Sequence, residues 1–225
     1  PADRLVRMIQ PLRIDFVSDV VCPWCAIGLA ALEQALQRLN GTVQATLHLQ
    51  PFELNPQMPP EGEDIVEHLT RKYGITAEQV AENAEAIRQR GAALGFTFGA
   101  GKRRRTYNSF DAHRLLHWAG QVAPARQVAL KHALLRAYFT DGENPGDPAV
   151  LERAAIEAGL DAAEARAIVA SDAHADEVRA DELLWQQRGI HAVPSVVING
   201  RHLIQGGQPV EVFEQALREL AAASA

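Results

Sequence analysis

Leu12-Arg13-Ile14-Asp15-Phe16-Val17-Ser18-Asp19-Val20-Val21-Cys22-Pro23-Trp24-Cys25 is the stretch that decides the architecture. From Leu12 to Asp19, apolar and polar side chains alternate as in a strand with one buried face. The period then changes. Between Ala26 and Asn40, Ile27, Leu29, Ala30, Leu32, Leu36 and Leu39 give a helical apolar face, and Asn40-Gly41 stops it. Thr42 to Phe52 alternates again, with Val43, Ala45, Leu47 and Leu49 on one side. The chain opens strand, helix, strand, with two cysteines where the first strand hands over to the helix.

The far end has its own β signal. Ser195 to Ile198 reads as a strand, Asn199-Gly200 as a hairpin turn and His202 to Gln205 as the partner. An amphipathic helix from about Pro209 to Leu220 closes the chain, with Val212, Phe213, Ala216, Leu217 and Leu220 inward. Between these ends, Asn55 to Gly62 is a proline-rich connector, and Ile65 to Arg188 is alanine-rich with helical spacing. Six helices and no strand are expected there. The expected architecture is α/β with a large all-helical insertion: residues 11–60 and 189–225 form one discontinuous domain and residues 61–188 the insertion. Inserted helices of this kind usually cap a site.

Bulk properties exclude several classes. The 225 residues, 47% hydrophobic and 22% charged, suit a globular chain and not a disordered one. A net charge of −6 argues against a nucleic-acid partner, and no apolar run reaches the length of a membrane span. Two cysteines cannot build a disulfide scaffold. The residues before Pro11 carry arginines but no apolar core of a signal peptide, with Met8 as a candidate start, so the expected location is cytoplasmic.

The chemistry centres on Cys22 and Cys25. Unpaired amides and the dipole of a helix N-terminus favour an anion, so Cys22 at the helix start gains thiolate character. Pro23 suits the first turn because its missing N–H is not needed there. Cys25, one turn on, can close a disulfide onto Cys22 and resolve a mixed disulfide with a substrate. A zinc site completed by His113 and His117 is the competing arrangement, but no further cysteine exists and no glutamate lies between the histidines as in HExxH. No metal is expected, and the two histidines are read as a packing or hydrogen-bonding pair. Asp15 and Asp19 are candidate proton acceptors for Cys25. Lys102-Arg103-Arg104-Arg105 is read as a solvated loop, or as a rim that attracts anions. Phe110, Leu115, Leu116 and Trp118 are expected in the core.

Four stretches in order, Ser18 to Cys25, Pro51 to Pro56, Asn108 to Leu115 and Gly189 to Gly200, carry a resemblance. Together with Val193-Pro194 ahead of the hairpin, the chain resembles the DsbA family of thiol–disulfide oxidoreductases, and within it the FrnE-like branch. The resemblance implies a thioredoxin-like fold and disulfide exchange through Cys22-Pro23-Trp24-Cys25. It implies that Pro194 is the cis-proline facing the dithiol and that Val193 offers its backbone to substrate. Pro23, Trp24, Val193 and Pro194 are then the substrate-binding set. No cofactor beyond the cysteine pair is implied; the partners are protein or peptide thiols and disulfides, with glutathione as a candidate co-substrate. The glutathione-dependent kappa-class transferases and 2-hydroxychromene-2-carboxylate isomerases share the inserted helices but typically carry serine at the reactive position. They are the enzymatic alternative, and a redox-inactive chaperone-like binding module is the other.

Overall fold

Period-two alternation places the sheet. A computed structural model describes residues 11–224; Met8 lies outside the described residues. Strands β1 (Leu12–Ser18) and β2 (Ala45–Pro51) run parallel, with Leu12 opposite Ala45. Around them the order is β2-β1-β5-β6, where β5 (Ser195–Ile198) and β6 (His202–Gln205) are antiparallel additions. On one face, Leu12, Ile14, Phe16, Val196 and Ile198 join an apolar cluster with α1 (Pro23–Arg38) and the closing helix α9 (Val210–Ala223). On the other, Val17 and Val197 pack with Trp185 and Ile190. One strand thus serves two layers because its side chains point alternately up and down. Val212, expected inward on α9, is exposed; Phe213 and Leu217 carry that face.

Seven helices, not six, lie between β2 and β5: α2 (Ile65–Tyr73), α3 (Ala77–Ala93), α4 (Phe110–Val122), α5 (Pro124–Leu135), α6 (Pro148–Glu157), α7 (Ala162–Val169) and α8 (Ala175–Gln187). A five-residue π-helical turn, Arg136–Thr140, extends α5. The segment is not wholly helical either. Two-residue strands β3 (Glu63–Asp64) and β4 (Arg105–Thr106) form an antiparallel ladder across its base. Gly62 makes that ladder possible: it sits at φ +72°, and a Cβ there would fall 2.1 Å from the Thr106 carbonyl oxygen.

The helices do not form a separate core. Leu115, Leu130, Leu134, Leu151 and Ala165 belong to the same buried cluster as Leu12 and Phe16. Edge strand β2 is closed by a side chain of α5. Gln127 accepts from the Leu49 amide at 2.9 Å and donates to the Leu49 carbonyl at 3.2 Å, as a neighbouring strand would. The same Gln127 nitrogen donates to Leu116 O at 3.1 Å. Gly120 leaves room for that amide, since a Cβ there would lie 2.6 Å from it.

Candidate active site

Cys22 is itself the N-cap of α1. Its backbone is extended (φ −96°, ψ 114°), Pro23 takes the first helical position, and the sulfur accepts from the Cys25 amide at 3.2 Å. A cap normally supplies an oxygen from Ser, Thr, Asp or Asn; here the helix presents that amide to a thiol. The helix dipole therefore acts on Cys22 at short range. Both cysteines are unbridged and buried, and Cys22, at 4% exposure against 0% for Cys25, is only narrowly the more accessible.

The dithiol faces the second β signal. Cys22 Sγ stands 3.9 Å from the Val193 carbonyl oxygen, and the Val193–Pro194 peptide is cis. Ser195 Oγ donates to Ala192 O at 2.7 Å and the Gly206 amide to Pro194 O at 2.9 Å, which hold that loop against the hairpin. Helix α1 passes close beneath, so that a Cβ on Gly28 would lie 3.0 Å from Pro194 Cγ. Trp24 is 38% exposed. Its ring lies on Gly207, where a Cβ would intrude at 3.2 Å, and the Arg90 guanidinium of α3 stands 5.3 Å from its centroid. Arg90 also donates to Gly207 O at 3.0 Å, tying α3 to the loop beside the dithiol.

Behind the cysteines sits a charged cluster that only the fold assembles. Asp19, fully buried, accepts from the Leu54 amide at 2.8 Å and meets His113 Nε2 at 3.1 Å. Burial alone would raise its pKa; the hydrogen bond and charge of His113, helped by Leu54 and Ser109, outweigh that and hold it below the usual value. Burial pushes the Cys25 thiol well above its ordinary value, and the bond to Cys22 adds to this. The charge of Lys131, on α5 and 1% exposed, pulls the other way. Burial in turn lowers Lys131, opposed by Cys25, Asp19 and Cys22. A cavity of about 180 Å³ reaches Lys131 and His113 from the side of β2, α4 and α8.

Several expectations divide here. Of the two aspartates, Asp19 belongs to the cluster, whereas Asp15 is held on the sheet by Arg13 (2.9 and 3.0 Å) and Gln50 (2.9 Å). His113 and His117 do not pair: the first is buried on Asp19 and the second faces α8. Among the described residues, no metal-ligating group includes either cysteine. The basic run divides: Lys102, Arg104 and Arg105 are exposed, as a solvated loop would have them, whereas Arg103 is half-buried and turned toward the site. Arg103 donates to Val21 O at 3.3 Å and to Tyr138 Oη at 3.0 Å, and Arg105 donates to the Glu61 and Gly62 carbonyls. Leu115, Leu116 and Trp118 are buried as expected, but Phe110 is only partly so, under the Arg179 guanidinium at 3.9 Å. Lys131 was missed because a lysine on a helix reads as solvated; no sequence signal marks it.

A family model of DSBA-like thioredoxin domains matches residues 13–218, and the chain belongs to that family. Among solved structures, a probable DsbA oxidoreductase of Streptomyces coelicolor is 36% identical, with TM-score 0.85 over 95% of this chain and 91% of that one. The cytosolic disulfide reductase DsbM of Pseudomonas aeruginosa, bound to GSH, shares the fold at 17% identity (TM-score 0.62, covering 93% and 99%). The uncharacterized protein YwbO of Bacillus subtilis is 27% identical over 209 residues, 92% of this chain and 96% of its own length.

Proposed function

We propose that the protein exchanges dithiols and disulfides through Cys22 and Cys25. The observation that carries this is the capped sulfur: Cys22 Sγ receives an α1 amide at 3.2 Å while facing Val193 O across the loop at 3.9 Å. In the reducing direction the Cys22 thiolate attacks a substrate disulfide, one substrate thiolate leaves, and a mixed disulfide forms. Cys25 then loses its proton and attacks Cys22 Sγ; the Cys22–Cys25 disulfide forms and the second substrate thiolate leaves. Oxidation runs the same steps backwards. The Lys131 charge supports the thiolate of Cys25 in both directions.

Trp24 and Pro23 flank the reacting sulfur, and Val193 and Pro194 form the ledge on which substrate backbone lies. The cations around the site, Arg103 beside Val21 and Arg90 over Trp24, favour an anionic thiol such as glutathione alongside protein thiols. DsbM, which shares the fold, is described with GSH and as cytosolic, and a cytoplasmic location is part of this reading.

The test is differential alkylation of the reduced protein with trapping in variants. Cys22 should be labelled first, Cys25→Ser should accumulate a mixed disulfide, and Cys22→Ser should lose exchange. Faster labelling of Cys25, or exchange that survives Cys22→Ser, would refute the assignment.

A further inference from the structure

Away from the dithiol, α4 and the start of α8 bring together a different set of side chains. His174 stands at the N-cap position of α8 without a side-chain bond to the helix amides, and Glu177 and Asp181 follow it on the same helical face, three and seven residues on. His117 of α4 faces them. Its Nε2 lies 3.8 Å from Glu177 Oε2, and its Nδ1 lies 3.4 Å from Asp181 Oδ2. His174 Nδ1 lies 2.6 Å from Glu177 Oε2, and the two imidazole centroids are 5.3 Å apart. One ligand atom each from His117, His174 and Glu177 falls within 4.8 Å of the others.

We propose that His117, His174 and Glu177 form a binding site for a divalent transition cation of the zinc class, with Asp181 orienting His117. Zinc bonds to nitrogen and oxygen are about 2.0–2.2 Å, so tetrahedral ligands stand about 3.4 Å from one another. The observed 2.6 and 3.8 Å bracket that spacing, within reach of small side-chain rotations. Two imidazoles and one carboxylate suit zinc, cobalt or nickel, whereas calcium and magnesium take oxygen shells. Asp181 supplies the second requirement. A carboxylate on Nδ1 keeps the proton there and leaves Nε2 with its lone pair toward Glu177, the arrangement that fixes metal-binding histidines. Three protein ligands leave a fourth position for water. Gln121, whose amide nitrogen lies 3.4 Å from His117 Nε2, is the group the cation displaces. The bound ion clamps α8 to α4 beside the cavity that reaches Lys131, since His117 and Asp181 both line that cavity.

The experiment uses the whole chain with Cys22 and Cys25 joined as a disulfide, so that neither thiolate competes for metal. Cobalt(II) is titrated by visible absorption, and zinc(II) by calorimetry. One equivalent should bind, cobalt should show the absorption of a four-coordinate ion, and zinc should displace it. His117→Gln and His174→Asn should abolish saturable binding; asparagine is chosen because position 174 is left-handed (φ 64°), which it tolerates. Asp181→Asn should weaken binding about ten- to hundredfold. Glu177→Gln alters an exposed carboxylate while keeping the size of its side chain, and should also abolish saturable binding. Absence of saturable binding to the unmodified chain, or binding unchanged by these variants, overturns the site and leaves a histidine–carboxylate ion-pair network.

Discussion

At position 131 a lysine is buried where a leucine would be expected, and its charge lies within reach of Cys25, Asp19 and Cys22. Removing it has opposite consequences for chemistry and for stability. Lys131→Met keeps the length of the side chain and discards the one influence from a neighbouring side chain that lowers the Cys25 thiol. Cys25 should then ionise at still higher pH, and release of substrate from the mixed disulfide should slow. Folding should not suffer, because replacing a buried charge by an apolar side chain of similar volume is often neutral or stabilising. The check is the pH profile of Cys25 alkylation in a Cys22→Ser background, with and without Lys131→Met. Coincident profiles would show that Lys131 plays no part in the exchange.

Between residue and domain, the elements differ in how much of them could be read beforehand. Strand β1, helix α1 and the Ser195–Gln205 hairpin were legible because each has a clear period or a turn pair, and the cysteines sit where strand meets helix. The β3–β4 ladder was not, since two residues per strand carry no period. The break between α7 and α8 contains neither glycine nor proline; Ser171 to His174 turns the chain with His174 in the left-handed region. Gln127 and the Asp19–His113 pair were hidden for another reason: their partners lie 78 and 94 residues away, and only packing selects them. Gln127 has a measurable weight. Gln127→Met would leave the buried amide and carbonyl of Leu49 unpaired, each costing about 1–3 kcal/mol. Urea denaturation should show a loss of at least about 2 kcal/mol with an unchanged slope. A midpoint equal to that of the parent would mean that water fills the place of the glutamine.

For the whole molecule, α8 is also joined to the loop after β2 through acids. Arg179 donates to Glu53 at 3.0 Å, while Glu53 and Glu182 each keep one buried oxygen without a donor. Burial, with the Glu53 carboxylate beside it, pushes Glu182 up to about 8. In the unfolded chain the same group ionises near pH ~4.3. Between those limits the folded protein binds more protons than the unfolded, so stability falls as pH rises through that window. Glu182→Gln stays neutral and can donate to Glu53, so the urea midpoint should hold between the unfolded value near pH ~4.3 and the folded value of about 8 instead of declining. An equal decline in both proteins would place the titrating group elsewhere. The sealed strand β2 has a consequence of its own. With Gln127 on Leu49 and helices packed along that side, β6 is the exposed margin of the four-stranded sheet among the described residues. Within that sheet, and among the described residues, a further strand has room beside β6 alone. Two copies joined β6 to β6 about a twofold axis would make a continuous eight-stranded sheet whose outer margins are both β2. Strand addition along that sheet would therefore end with a pair of molecules.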